Sequence, residues 1–365
     1  MNELDIKRKE INEIDKEMAA LFEKRMACSK EVAEYKIKHS IPILDSAREL
    51  EVIKKNSELI NDEVIKEYYI NFIKSTMDVS KKYQSRIING MRVAYSGVEG
   101  AFAHIAAMRM FPGAIYVSYP SFTAAYNATV DGNCDTCVLP LENSYAGEVG
   151  LVMDLIFSGN LYVNQVVELE IVHNLLAKKG TEIKDIKTVV SHPQAISQCL
   201  DYITKKNFKS IEAENTAIAA KLVSENEDKS IAAIASIDTA NLYGLEILER
   251  NINSNYNNTT RFGAFSRCLN TENQIGKMGQ HFILVFTVKN EAGALAKTLN
   301  IIGSHGFNMR NLRSRPMKEL IWNYYFYVEL EGNINSKEGK DMLRALGVFC
   351  DNLKLVGIYT HKIEK

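Results

Sequence analysis

No apolar run in the 365-residue chain approaches the ~18–20 residues of a membrane-spanning helix. An export signal is missing too: charge begins at Glu3 and no apolar core follows it. Nor is there surplus charge. With 44 basic and 45 acidic side chains the formal net charge is −1, which argues against a dedicated nucleic-acid or membrane-surface binder. The six cysteines (28, 134, 137, 199, 268 and 350) lack the spacing of a disulfide framework, and reduced thiols in a cytoplasmic protein fit them. Cys134 and Cys137 form a C-x-x-C, but no second pair and no nearby His complete a metal site, and the start of a strand is the simpler reading. What remains is an ordinary globular composition, 46% hydrophobic and 24% charged, in a chain long enough for two or three domains.

The first organising feature is a helical stretch from Glu3 to about Lys38. Leu4, Ile11, Ile14, Met18, Leu21, Cys28, Val32 and Tyr35 alternate by threes and fours, the stripe of a helix that packs on other helices. Arg25 interrupts this stripe. It is either a rim residue whose stem snorkels to water or a buried guanidinium that needs an anionic partner. Lys36, eleven residues on, returns to nearly the same face. Arg8, seventeen residues back, lies about 25 Å away along the axis. A small molecule gripped by Arg25 and Lys36 would therefore meet an Arg8 only from a second chain running the other way. After a break at Ile41-Pro42, Asp45 is placed to cap a helix bearing Arg48 and Glu49. A third helix starts near Asn61, a residue type that caps helices, and runs to Arg86. A helix of ~50 Å cannot be covered by fewer than ~90 residues of its own chain, so an intertwined homodimer is expected.

Residues 1–88 resemble the all-helical, AroQ-type chorismate mutases. The resemblance rests on Arg8, Arg25, Lys36, Asp45, Arg48, Glu49, Ser80 and Gln84, each the residue type that family uses. It implies a pericyclic rearrangement of chorismate, a dicarboxylate, which needs orientation and fixed positive charge rather than covalent help. Arg8, Arg25, Lys36, Glu49 and Gln84 are then catalytic, with Arg8 supplied by the second protomer, while Asp45, Arg48 and Ser80 bind substrate. Arginines suit the carboxylates, Lys36 and Gln84 the ether oxygen where negative charge builds up, and Glu49 a substrate hydroxyl. Ser80 and Gln84, one helical turn apart, face the same way.

After a short hinge at 87–91 the texture changes to alternating strands and helices. A strand at Arg92–Ser96, a Gly97–Gly100 turn and a helix from Ala101 to about Met110 come first; a lone G-x-x-G says little about phosphate. A helix around Ser121–Val130 and a strand Thr136–Leu139 follow, the latter ending in Pro140-Leu141-Glu142-Asn143-Ser144. Ile171–Leu176 reads as a strand carrying His173, and Thr188–Val190 as one ending in Ser191-His192-Pro193-Gln194. Ser230–Ala235 feeds a helix through Tyr243, and Asn257–Phe262 closes the region. Polar loops at strand ends are where open α/β sheets bind ligands, although each alone is also an ordinary capped turn.

Together with Asn215-Thr216-Ala217, Ala232-Ala233-Ile234, Tyr243-Gly244-Leu245 and Thr260-Arg261-Phe262, these segments make residues 91–268 similar to prephenate dehydratase. The resemblance implies two α/β lobes, like periplasmic binding proteins, with the active site between them. It also implies a reaction that couples loss of a ring hydroxyl to decarboxylation, giving phenylpyruvate. A donor beside the leaving oxygen is needed. That role falls to Thr260, a weak acid and therefore a hydrogen-bond donor or relay. Asn143, Ser144, His173, Gln194 and Phe262 line the cleft. Arg261 either clamps a substrate carboxylate or braces its loop. Ala103 stands where many relatives carry serine.

Residues 269–280 are polar, contain Gly276 and Gly279, and read as a linker. Strands at His281–Lys289, Met309–Pro316, Asn323–Glu331 and Leu353–Thr360, with helices at Ala292–Ser304 and Lys337–Leu346, give the ferredoxin-like βαββαβ order. Residues 280–365 resemble the ACT domain, a regulatory module that binds amino acids at a dimer interface. In the dehydratases a Gly-Ala-Leu-Val and a Glu-Ser-Arg-Pro motif bind phenylalanine. Here they read Gly293-Ala294-Leu295-Ala296 and Arg313-Ser314-Arg315-Pro316, so Gly293, Ala294, Leu295, Ser314, Arg315 and Pro316 are the expected allosteric residues. The charge reversal at Arg313 either weakens recognition of the ligand's ammonium or touches only a structural pairing. The expected whole is a multidomain cytoplasmic enzyme, all-α, then two-lobed α/β, then α+β. It acts on chorismate and prephenate, is a dimer or tetramer, is inhibited by L-phenylalanine, and uses neither metal nor cofactor. Rival readings are an arogenate dehydratase and a non-catalytic amino-acid sensor.

Overall fold

Asn2 opens the first helix through a capping box, its side chain accepting from the Asp5 amide at 2.8 Å. The computed structural model describes residues 2–255, 257–269, 280–317 and 323–362; most of the expected linker lies outside them. Helix α1 (Glu3–His39) ends at Ser40, which takes the left-handed conformation. Asp45 caps α2 (Ser46–Ser57), accepting from the Arg48 amide at 3.0 Å. Asp62, rather than Asn61, caps α3 (Glu63–Asn89), accepting from the Val64 and Ile65 amides at 2.8 and 3.1 Å. A carboxylate at a helix N-terminus also gains from the helix dipole, which an amide does not. The stripe on α1 is left uncovered: Leu4, Ile11, Ile14 and Leu21 are 55–63% exposed.

The chain divides into two compact units, Met1–Arg92 and Val93–Lys365. The second opens on β1 (Arg92–Ser96), α4 (Phe102–Met110), β2 (Ile115–Tyr119) and α5 (Phe122–Val130). It continues through β3 (Thr136–Asn143), β4 (Gly147–Glu148), α6 (Gly150–Ser158) and β5 (Tyr162–Glu170). A second lobe follows: β6 (Asn174–Ala177), β7 (Thr188–Ser191), α7 (Pro193–Gln198), α8 (Leu200–Lys206), β8 (Lys209–Glu212), α9 (Thr216–Glu225), β9 (Ile231–Ala235), α10 (Ile237–Tyr243) and β10 (Glu246–Glu249). The chain then returns to the first lobe as β11 (Thr259–Ser266). It finishes with β12 (Gln280–Thr287), α11 (Ala294–Ser304), β13 (Asn308–Pro316), β14 (Tyr324–Glu331), α12 (Lys337–Phe349) and β15 (Asp351–Lys362), the βαββαβ order read from the pattern.

Two strand readings need correcting. Strand β3 runs on through Pro140 to Asn143 instead of stopping at Leu139. Proline lacks the ladder donor, and it is accommodated where the pairing with β11 shifts register between Arg261 and Phe262. Residues 171–173 are not strand but part of the crossover between lobes. Their backbone bonds go to the returning chain: Ile171 N–H to Asn258 O at 2.7 Å and His173 N–H to the Asn253 Oδ1 at 2.7 Å.

Among the described residues, the second lobe's sheet runs β10-β6-β9-β7-β8, and the other sheet runs β13-β14-β12-β15-β5-β11-β3-β1-β2, with β4 on β3. That long sheet is continuous because β15 pairs parallel to β5 with Gly357 opposite Val163. A Cβ at 357 would stand 2.6 Å from the Val163 carbonyl oxygen, so only glycine permits the approach. The joint is sealed by one core, in which Leu139, Val152, Met153 and Ile156 meet Val285, Tyr325 and Tyr359. Burying these side chains together stabilises the join by about 1.5–3 kcal/mol per large residue.

Candidate active sites

In the first unit Arg25 is half-buried on α1 and faces α3. Its guanidinium donates to the Ser80 hydroxyl and, at 3.3 Å, to the Thr76 carbonyl; Ser80 in turn donates to Thr76 O at 2.8 Å. Arg25 is thus held by neutral acceptors, which leaves its positive charge uncompensated by them. Ser80 and Gln84 are the buried polar residues of α3, and the Gln84 Oε1 is buried without a hydrogen-bond partner. Lys36 donates to the Ile43 carbonyl at 2.7 Å, and Glu49 pairs with Lys81 at 2.8 Å. Asp45 caps α2 through its Oδ1. Arg48 is exposed and pairs with Glu51 at 2.6 Å on its own helix. Arg8 is exposed on the opening turns of α1.

In the second unit a cleft of about 510 Å³ opens between the lobes, lined by residues of both. Thr260 and Phe262 reach it from β11, Asn143 from the end of β3, His173 from the crossover, and Gln194 and Gln198 from α7. A directional hydrogen-bond chain connects Thr260, Asn143, Gln198 and His173. The Asn143 Oδ1 accepts from the Tyr145 and Ala146 amides at 3.0 and 2.8 Å, which fixes the flip of its amide. Its Nδ2 therefore donates to the Thr260 Oγ1 at 2.8 Å and to the Asn258 Oδ1 at 2.9 Å. Asn258 passes the order on, donating to the Gln198 Oε1 at 2.9 Å. That oxygen also lies 2.9 Å from the His173 Nε2, so His173 carries its proton there. Burial pulls the His173 pKa below its ordinary value, only partly offset by Gln198, and the ring is neutral. Because Thr260 already accepts from Asn143, its own proton is free to be donated.

The chorismate mutase type II family matches residues 7–85, prephenate dehydratase 93–268 and the ACT domain 282–348. The bifunctional chorismate mutase/prephenate dehydratase of Buchnera aphidicola subsp. Acyrthosiphon pisum is 30% identical over 98% of this chain and 96% of its own. The chain belongs to this bifunctional family. Two solved structures share the fold of the second unit. An Arthrobacter aurescens prephenate dehydratase in complex with L-Phe is 25% identical at TM-score 0.68, over 74% of this chain and 90% of that one. GqqA, described as a novel type of quorum quenching acylase, is 30% identical at TM-score 0.69, over 74% of this chain and 98% of that one.

The chain thus carries a mutase domain, a dehydratase domain and an ACT domain. Two of the residues expected at the cleft, Ser144 and Arg261, are not among its lining. Ser144 is not in the dehydratase cleft: its hydroxyl donates to Asn257 O at 2.8 Å and accepts from the Thr259 amide at 3.0 Å, latching a hairpin. Arg261 points to the opposite face of β11 from Thr260 and Phe262, as strand alternation requires. It donates twice to Glu329 of the ACT strand β14 and once to the Tyr359 hydroxyl. Of the two readings of Arg261, the geometry is that of the brace. On β13, Ser314 and Pro316 are exposed, whereas Arg315 faces the dehydratase with Arg313. Gly293, with φ of +81°, caps α11 ahead of Ala294 and Leu295.

Gln198 and Asn258 were missing from the sequence-based set. Gln198 stands one turn after Gln194 on α7, and that spacing was a usable signal. Asn258 had none, because its place depends on the chain crossing back from the second lobe to the first.

Proposed function

We propose that the chain converts chorismate to prephenate in residues 1–88 and prephenate to phenylpyruvate, CO2 and water in residues 91–268. Residues 280–365 bind L-phenylalanine and lower dehydratase output. The observation that carries the dehydratase reading is the Asn143–Thr260 pair, which leaves a hydroxyl proton free in a cleft of substrate size. As the bond from ring carbon to carboxylate breaks, its electron pair aromatises the ring and expels the hydroxyl, which takes up a proton from solvent to leave as water. A hydrogen bond from Thr260 stabilises that departing oxygen. Asn143 and His173, through Gln198 and Asn258, keep Thr260 oriented.

For the mutase, Arg25 supplies fixed charge for a carboxylate, and the exposed stripe of α1 together with the remote Arg8 supports an intertwined homodimer. In that dimer Arg8 of one protomer completes the site of the other. Asp45, Arg48, Glu49, Lys36 and Gln84 keep the roles the resemblance implies. We place the enzyme in the cytoplasm; no described helix is long and apolar enough to cross a membrane.

Supplying chorismate and following the ultraviolet signal of phenylpyruvate in alkali tests both steps. Prephenate accumulating without phenylpyruvate would remove the dehydratase assignment, and no chorismate consumption would leave a sensor. Arogenate turned over in preference to prephenate would reassign the second substrate. Sedimentation at micromolar concentration tests the dimer.

A further inference from the structure

We infer that Arg313 and Arg315, on the ACT strand β13, are positioning residues for the dehydratase cleft. The inference rests on the dehydratase reading above. Both side chains project from one face of β13 onto the hairpin formed by β3 and β4. Arg313 Nη2 donates to Glu142 and its Nη1 to Glu148 at 3.4 Å; Arg315 donates to Glu148 at 2.7 Å and to Asp154 of α6 at 3.1 Å. Asn311 adds a bond to Glu142 at 3.3 Å.

Glu148 is itself a lining residue of the cleft, with Asn143, Ala146, Gly147 and Val149 from the same hairpin. On its β3 side the hairpin is held by pairing with β11 and by the Ser144 bonds to Asn257 and Thr259, whereas its β4 arm has fewer bonds of its own. Strand β4 is two residues long, paired through Glu142 with Glu148 and Asn143 with Gly147. Its turn hangs on the Asn143 Oδ1, and Asn143 is the residue that orients Thr260. Three carboxylates from Glu142, Glu148 and Asp154 crowd one surface, and two partly buried guanidinium groups of another domain hold them together. A shift of β13 therefore moves the hairpin and, with it, the Asn143–Thr260 pair.

The fit is close. A Cβ on Gly150, the first residue of α6, would stand 2.6 Å from Arg315 Nη1. Gly150→Ala suits a helix and removes no charge, yet it must displace that guanidinium.

The test uses the full-length chain, with kcat and KM measured on prephenate, mutase turnover of chorismate as an internal control, and thermal unfolding in parallel. The Arg313→Gln/Arg315→Gln pair is expected to lower kcat/KM for prephenate about twofold to thirtyfold, the span of coupling between packed sites. Arg313→Lys/Arg315→Lys should recover part of that loss, Gly150→Ala should fall in the same direction, and the mutase rate should hold. A glutamine pair that melts earlier but keeps its kcat and KM would make these residues braces only and overturn the inference. Should that pair fail to fold, unchanged prephenate kinetics in Gly150→Ala overturns it instead. Turnover of prephenate by the unmodified chain, read in the same assay, reports separately on the dehydratase reading.

Discussion

Arg261 and Glu329 meet through two hydrogen bonds, 3.0 Å from Nη1 to Oε2 and 2.9 Å from Nη2 to Oε1. The residue beside the proposed donor Thr260 is thereby tied to the ACT sheet. Glu329 is fully buried and also accepts from the Tyr359 hydroxyl. Removing the arginine leaves a buried carboxylate with no cation, which typically costs about 3–5 kcal/mol. Arg261→Met should lower the urea midpoint for loss of dehydratase activity and leave that for mutase activity in place. Adding Glu329→Gln should recover much of the loss.

The same pair sets an acid limit. Burial alone would raise the Glu329 carboxyl, but the hydrogen bonds and charge of Arg261 outweigh it and hold the pKa below the ordinary carboxylate value. As pH falls, the unfolded chain takes up this proton first. The contribution is therefore full above about pH 4.3 and is lost as pH drops through the lowered folded value. In Glu329→Gln the acid limb of the stability curve should flatten, as thermal midpoints taken between pH 5 and 3 would report.

His173 acts in a higher window. Its imidazole is buried and its pKa lowered, so the unfolded state binds the proton first here too. Stability should be constant above about pH 6.5 and decline below it until the lowered folded value is passed. His173→Gln should remove that slope. A slope unchanged in the variant would assign it to other groups, His104 and His192 among them, since burial lowers both.

Thr260→Ala should reduce dehydratase kcat by about 10²–10³, the usual cost of one donor aimed at developing negative charge. Thr260→Ser should retain most of the rate, because the hydroxyl is what Asn143 orients. Mutase turnover in both variants should match the unmodified chain.

Arg25→Ala should reduce mutase kcat by a similar factor of about 10²–10³ and leave turnover of added prephenate unchanged. Loss of both activities would mean that Arg25 chiefly holds α1 on α3 through Ser80 and Thr76.

Much of this molecule was legible before any coordinates. The three helices, the βαββαβ order and the polar strand-end loops follow from periodicity and capping, which act over a few residues. Local pattern assigns no strand to β5 or β11, nor to β2, β8 and β10, although Tyr162–Glu170 and Thr259–Ser266 form the middle of the long sheet. Their neighbours lie far away in sequence, and pairing at that range leaves no local mark.

The sequence by itself singled out the side chains proposed to carry the chemistry: Arg25, Lys36 and Gln84 in the helices, and Asn143, His173 and Thr260 at the strand ends. Tertiary structure alone decided what the charged residues around them do. Arg261 braces Glu329, and Arg313 and Arg315 reach Glu142, Glu148 and Asp154, because strand alternation and the β15–β5 pairing turn those faces toward one another. A guanidinium suits a substrate carboxylate and a protein carboxylate equally well, so residue type could not separate the two. The distance to a partner more than sixty residues away did.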